Sequence, residues 1–376
     1  MYFLNGNRIY IKPKNSCAST DDQISSCFEQ LQKINSGKRV FKLNFFADTA
    51  SKENYRLMQS KLKELVAERF GTQVICALIA QPPLTCRVLV EAFYFDYSLW
   101  KPDFFSTENG LAVLFKRGGA SVLVGNAHSD AHDGCCENAG AAFKTFENLL
   151  KRADMQFGSV VRQWNYIENI TGFDGDKQCY QEFNNVRAEY YAEHFNRKGF
   201  PAATGIGMNQ GGVIIEFVAV NAAEAISLPL DNPEQVAAHG YSRKVLVGKT
   251  EEVKSTPKFE RARYLEIFGK KQLFISGTAS IRGEKTVGAG DPIRQTETTI
   301  QNMQRLYSHE VLSTVTGNSL QPVYGHARVY VKNKKDFPAI KATFKRYYGN
   351  LPVVYIIADI CRDDLLVEIE GKVILK

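Results

Sequence analysis

Hydrophobic and polar positions along the chain switch repeatedly between two periods. Residues 20–35 (TDDQISSCFEQLQKIN) and 51–70 (SKENYRLMQSKLKELVAERF) space their apolar residues three and four apart and carry Ser or Asp near their starts, which predicts helices. Between and after them, RVFKLNFFA, QVICALIAQ, CRVLVEAFYFD and GLAVLFKRGGASVLVGNAH read as strands. NAGAAFKTFENLLKRADM follows as a helix and GSVVRQWNYIENI as a strand. A Gly-rich turn within FPAATGIGMNQGGVIIEFVAV then feeds a buried strand. The order recurs further on, with strands in KQLFISGTASIRGE, a helix in TETTIQNMQRLYSHEV and a strand in HARVYVKN. KDFPAIKATFKRYY reads as another helix, and LPVVYIIADIC and DLLVEIEGKVIL as closing strands. Strand and helix alternate in both halves, so the expected architecture is α/β: two related units with mixed sheets, 1–154 and 155–376.

The closing strand raises a chemical question. In ADICRDDLLVEIEGKV, residues 358–373, a period of two puts Leu366, Glu368 and Glu370 on one face and Val367 and Ile369 on the other. A solvated edge strand would account for the two carboxylates. So would a proton donor aimed into a cleft.

Composition changes this picture little. The 376 residues are 44% hydrophobic and 23% charged, ordinary for a globular protein with a large core. No apolar run approaches the roughly 20 residues that cross a bilayer, and MYFLNGNRIYIKPKN lacks the apolar core of a signal peptide, so a cytoplasmic location without membrane association is expected. Eight cysteines without a repeated spacing suggest reduced thiols. The net charge of +7 is spread along the chain, with no basic run interleaved with aromatics, which argues against nucleic acid and suits a small anionic substrate.

Several local motifs have duller explanations. NAHSDAHDGCC places His128 and His132 four apart, with Asp130, Asp133, Cys135 and Cys136 nearby, but no distant pair completes a tetrahedral site, and a structural loop is the simpler reading. GIGMNQGG, 205–212, has the glycines of a phosphate loop without the dinucleotide spacing, and GKT, 248–250, lacks the earlier glycine of a P-loop. There is no Gly-x-Ser-x-Gly elbow. What remains is a group of tyrosines and arginines in turns and strand ends: Tyr180 and Arg187 in DKQCYQEFNNVR, Tyr241 in QVAAHGYS, Arg261 in PKFERARY and Arg328 in HARVYV. Together such guanidinium forks suit carboxylates.

These segments, in this order, carry a resemblance. LFISGTASIRGE and HARVYVKNKKDFPAIKATFKRYYGNLPVVYIIADICRDDLLVEIEG resemble the C-terminal half of a chorismatase, and RQWNYIENI, CYQEFNNVRAEYY, GFPAATGIG, QVAAHGYS and KFERA extend the likeness upstream to about residue 155. The resemblance implies two units of the Rid/YjgF type (chorismate mutase-like), with helices packed on one face of each sheet. It also implies a monomer, because fused units can build the cleft that single Rid domains form by trimerising. The implied activity is cleavage of chorismate, a small diacid, with release of pyruvate and without metal or organic cofactor.

The family's acid is the first glutamate of EIE, so the role passes to Glu368, which would protonate the enol methylene carbon. Glu370, on the same face, would help keep it neutral, or would instead be solvated or salt-bridged. Tyr180, Arg187, Tyr241, Arg261 and Arg328 would hold the substrate. Hydroxybenzoate-forming members are similar to this chain in having a cysteine seven residues before the glutamate, here Cys361, which favours 3-hydroxybenzoate over the hydrolytic dihydrodiol. Ser242 departs from the family's proline after Tyr241. The competing readings are an enamine or imine deaminase, for which Val354 stands where an arginine is required, and a binding module without chemistry.

Overall fold

The computed structural model describes residues 8–33, 38–129, 134–192, 194–195, 199–247, 254–316 and 320–376. Its strands gather into three large sheets, each backed by helices on one face.

The first sheet contains β1 (Arg8–Ile11), β2 (Lys38–Ala47), β3 (Ile75–Ile79) and β4 (Val88–Asp96), in the order β1-β4-β2-β3. Its helices are α1 (Thr20–Lys33) and α2 (Lys52–Phe70). The Ser51 side chain caps α2 by accepting the Asn54 N–H at 3.1 Å, and Gly71, at φ 87°, ends it where a Cβ would be strained. Ile24, Phe28 and Leu31 of α1 and Leu62 and Val66 of α2 bury the apolar stripes that their spacing predicts.

The second sheet contains β5 (Asp103–Thr107), β6 (Gly110–Arg117), β7 (Ala120–His128), β8 (Val160–Glu168), β11 (Ala202–Met208) and β12 (Val213–Asn221), ordered β11-β8-β12-β7-β6-β5. The helices α3 (Cys135–Arg152) and α4 (Cys179–Tyr191) cover one face, and a small hairpin, β9 (Phe173–Asp174) with β10 (Lys177–Gln178), precedes α4. Phe146 of α3 packs on Phe217 of β12 with ring centroids 4.2 Å apart. Gly125 on neighbouring β7 leaves that ring its space, since a Cβ there would fall 2.4 Å from it.

The third sheet runs β13-β14-β15-β20-β18-β19. Its strands are β13 (Ile226–Leu230), β14 (Ala262–Ile267), β15 (Lys270–Ala279), β18 (Pro322–Val331), β19 (Val353–Ile357) and β20 (Val367–Leu375). A hairpin, β16 (Ile281–Arg282) with β17 (Lys285–Thr286), follows β15. The helices are α5 (Pro292–Leu306), α6 (His309–Thr316) and α7 (Phe337–Tyr348). Asp291 caps α5 ahead of Pro292, and Gly349, at φ 59°, ends α7.

Mixed sheets with helices on one face are as the sequence implies. Three of them exist where two units were expected. The joint read near residue 155 lies inside the second sheet, where β7 and β8 flank β12 as hydrogen-bonded neighbours. The sheets themselves change between β4 and β5 and between β12 and β13.

Three further expectations are corrected. CYQEFNNVR is helix α4 rather than turn; its buried positions include Gln181, Asn184 and Arg187 as well as Phe183 and Val186, so it shows no clean apolar stripe. GIG lies within strand β11, not in a turn. Cys135 and Cys179 form a disulfide between the starts of α3 and α4, with Cα atoms 5.2 Å apart, so not every thiol is free. Among the described residues no helix is long and apolar enough to cross a membrane.

The inner faces of the three sheets meet around a ring of ion pairs. Lys42 of β2 reaches Glu216 of β12 at 2.9 Å, Arg162 of β8 pairs with Glu370 of β20, and Arg328 of β18 pairs with Glu91 of β4. Each sheet thus gives one cation to the next sheet's carboxylate. All six side chains are buried, where an unpaired charge would be costly, so the ring fixes which sheet sits beside which.

Candidate active site

The edge strand β11 of the second sheet runs against the third sheet near β15. The Ala203 N–H donates to Ser276 Oγ at 2.9 Å and the Gly277 N–H to Thr204 Oγ1 at 3.0 Å. A cavity of about 340 Å³ opens beside this seam, large enough for a small organic acid. Helix α4 contributes Tyr180, Gln181 and Asn184 to its wall, the Ala238–Gly240 turn leads into Tyr241, and Phe259 and Arg261 precede β14. Cys361, Arg362 and Glu368 approach from the end of the chain.

Glu368 and Glu370 both face inward, as their period of two requires, and are 4% and 2% exposed; the solvated edge strand is excluded. Their surroundings differ. Glu370 accepts hydrogen bonds from Trp164 Nε1 at 3.0 Å, Tyr330 Oη at 3.2 Å and Thr204 Oγ1, and it forms ion pairs with Arg162 and Arg328. Glu368 has no hydrogen bond or ion pair among the described residues and faces the cavity. Burial, and then the charge of Glu370, push its pKa up to about 8, against weaker opposing pulls from Arg162 and Arg261. A carboxyl of that kind is protonated at neutral pH.

Room for this acid comes from glycine. A Cβ on Gly277 would lie 1.9 Å from Glu368 Oε1, and one on Gly205 would crowd the Tyr180 ring at 3.1 Å. Both glycines sit in strand interiors, where a close approach is the usual reason for tolerating glycine.

Of the residues singled out from sequence, Tyr180, Tyr241, Arg261, Cys361 and Glu368 line the cavity together. Arg261 Nη2 donates to Tyr241 Oη at 2.7 Å and to the Val236 carbonyl at 2.8 Å. Tyr180 is partly buried, and desolvation raises its phenol pKa and keeps it a neutral O–H donor. Burial, with the nearby Glu368, pushes the Cys361 thiol up to about 12, so it is a neutral wall group at physiological pH.

Arg187 does not line the cavity. It stands one layer behind on α4, fully buried, donating to Asn184 Oδ1 at 2.5 Å and lying beside Tyr180. Arg328 is elsewhere. Its guanidinium is committed to Glu91, Glu370 and, at 2.7 Å, Tyr166 Oη in the central ring.

Sequence reasoning passed over Arg362, Gln181, Asn184 and Gly277. Arg362 lay in the very stretch that raised the question, and a lone glycine inside the strand-like LFISGTASI was the available signal for Gly277. His128 ends β7, whereas Asp130, His132 and Asp133, like the GKT stretch, lie outside the described residues. The disulfide removes Cys135 as a thiolate ligand for that loop. Among the described residues, Asp231, His239 and Glu260 are grouped closely enough to share an ion, but His239 Nε2 already faces Glu260 Oε2 at 3.4 Å, and that carboxylate raises the imidazole pKa. Glu260 Oε1 also accepts the Phe200 N–H at 2.8 Å, so its carboxylate is already engaged on both oxygens.

Comparisons with known proteins place this cleft in context. The family model described as "Chorismatase FkbO/Hyg5-like, N-terminal" matches residues 106–219, beginning upstream of the point where the resemblance was read. A 3-hydroxybenzoate synthase of Streptomyces hygroscopicus is 32% identical over 247 residues, covering 63% of this chain and 69% of that one. A chorismatase of Streptomyces rapamycinicus is 33% identical over 225 residues, 58% of this chain and 64% of the relative. A chorismatase crystal structure superposes with a TM-score of 0.70 at 21% identity, over 97% of this chain and 98% of that one, so the fold is shared throughout. With a relative above 30% identity matched across more than two thirds of its length, and with the whole fold in common, this chain belongs to the chorismatase family.

Proposed function

We propose that this protein cleaves chorismate at its enolpyruvyl ether, releasing pyruvate and 3-hydroxybenzoate. The observation that carries the reading is Glu368: a buried carboxyl, with a pKa raised to about 8, facing a cavity of substrate size without a hydrogen-bond or ion-pair partner among the described residues. Such a group has a proton to give near neutral pH and is not tied to any other acceptor.

The enol methylene carbon takes that proton. The ether carbon becomes an oxocarbenium-like centre, and departure of the three-carbon unit yields pyruvate, its methyl group bearing the new hydrogen. In the 3-hydroxybenzoate route the substrate's own ring hydroxyl participates in place of water. The ring then loses a hydrogen as a proton and aromatises, so the net reaction moves one proton from ring to pyruvate and consumes no water. In hydrolysis, water adds and the ring leaves as a cyclohexadiene diol.

Arg261 and the hydroxyls of Tyr180 and Tyr241 are suited to hold the substrate's carboxylates so that the ether faces Glu368, the kind of orientation that supplies much of the rate. Arg187 supports that wall through Asn184 and Tyr180. Cys361, a small neutral thiol beside Glu368, would limit the room for an attacking water, which favours the hydroxybenzoate product. The reading is tested by incubating purified protein with chorismate, assaying pyruvate, and resolving the ring product by chromatography. Pyruvate with equimolar 3-hydroxybenzoate supports it; no pyruvate above the uncatalysed background rejects it.

A further inference from the structure

Arg362 lines the cleft immediately after Cys361. Its guanidinium carbon lies 5.3 Å from the Tyr241 ring centroid, and its Nη1 donates to the Glu284 carbonyl oxygen at 2.8 Å. Its Nη2 is buried and has no hydrogen-bond partner among the described residues. A buried charged donor left without an acceptor is unfavourable, and the imbalance is relieved when an anion arrives.

Two more contacts hold this group still. Glu284 sits at the turn of the β16–β17 hairpin, and its carboxylate accepts both the backbone N–H of Ser242 and, at 2.8 Å, the Ser242 hydroxyl. One residue therefore grips Arg362 with its main chain and the segment just after Tyr241 with its side chain. Arg261 approaches the same Tyr241 ring, its guanidinium carbon 5.5 Å from the centroid. A single phenol is thus flanked by two guanidinium groups in the wall of one cavity.

We propose that Arg362 receives one of the two carboxylates of a small diacid, with Arg261 taking the other, and that Glu284 is the positioning residue that aims it. The cleft is thereby selective for dicarboxylates over monocarboxylates. This rests on the reading of the cleft as the substrate site, though not on the reaction that follows.

Isophthalate and benzoate serve as a diacid and monoacid pair in calorimetric titrations of the wild type, Arg362→Gln, Arg362→Lys and Glu284→Gln. The wild type is expected to bind isophthalate at least about 10-fold more tightly than benzoate, in line with a charge-assisted bond. Arg362→Gln should bring that ratio close to one while leaving benzoate nearly unchanged. Arg362→Lys, which keeps the charge but loses the fork, and Glu284→Gln, which loosens the aim, should reduce it several-fold. A general loss of structure would weaken both ligands alike and leave the ratio standing. A wild-type ratio near one, or one that survives Arg362→Gln, overturns the proposal. Wild type that prefers the diacid yet releases no pyruvate from chorismate rejects the reaction and keeps the subsite. Arg362→Gln with an unchanged KM for chorismate does the reverse.

Discussion

Glu368 and Glu370 stand two residues apart on one face of β20, yet among the described residues only Glu370 has ion-pair partners. Arg162, Arg328, Trp164, Tyr330 and Thr204 all converge on Glu370. It is held as a buried anion whose field reaches its strand neighbour. Glu370 is thus tied into the ion pairs between the sheets, while Glu368 faces the cleft, its proton retained through burial and the nearby Glu370 charge.

Activity should follow the protonated form of Glu368. With its pKa raised to about 8, kcat is expected to be flat through neutral pH and to fall about tenfold per pH unit above 8. Glu368→Gln should abolish pyruvate release while leaving the far-ultraviolet circular dichroism intact. Full activity in that variant would discard the mechanism.

Gly277→Ala tests the geometry without touching chemistry. The added methyl would sit 1.9 Å from Glu368 Oε1 and 3.1 Å from Thr204 Cγ2, so the carboxyl must move. A displacement on the order of 1 Å costs about 100-fold in rate. The expected result is a kcat loss of that order with little change in melting temperature, and wild-type kinetics would show that the acid tolerates a different position.

Arg328 and Arg261 should separate cleanly. Arg328→Met leaves Glu91 without one of its cations inside the core, which is expected to destabilise folding by about 3–5 kcal/mol in denaturant titrations. Arg261→Ala, at the cleft, should instead raise KM for chorismate by about 10- to 100-fold with a smaller effect on stability. A stable Arg328→Met protein whose defect is confined to KM would return Arg328 to the substrate site.

Cys361→Ala reports on the product. If the thiol restricts water beside Glu368, the smaller side chain should shift the ring product from 3-hydroxybenzoate toward the diol, measured as their ratio by chromatography. An unchanged ratio counts against a role for Cys361 in partitioning.

The sequence by itself determined most of the elements and one face of the chemistry. Period-two alternation was enough to put Glu368 and Glu370 on the same side of a strand, and 3.6-residue spacing with Ser51 in front was enough for α2, because both are local consequences of backbone geometry. The ordered motifs around Tyr180, Tyr241 and Arg261 likewise led to residues that do share one cavity. Tertiary structure alone decided the rest. Alternation says which face a strand presents but not which strand lies beside it, so the division into three sheets, and the pairing of β12 with strands on both sides of residue 155, could not be read from it. Helix α4 hid because its buried side is partly polar, serving a cleft and a second layer instead of a plain core. Arg328 and Arg162 look alike in sequence to any surface arginine, and only the meeting of three sheets turned them into partners of Glu91 and Glu370. That meeting left Glu368 as the carboxyl with a proton to give.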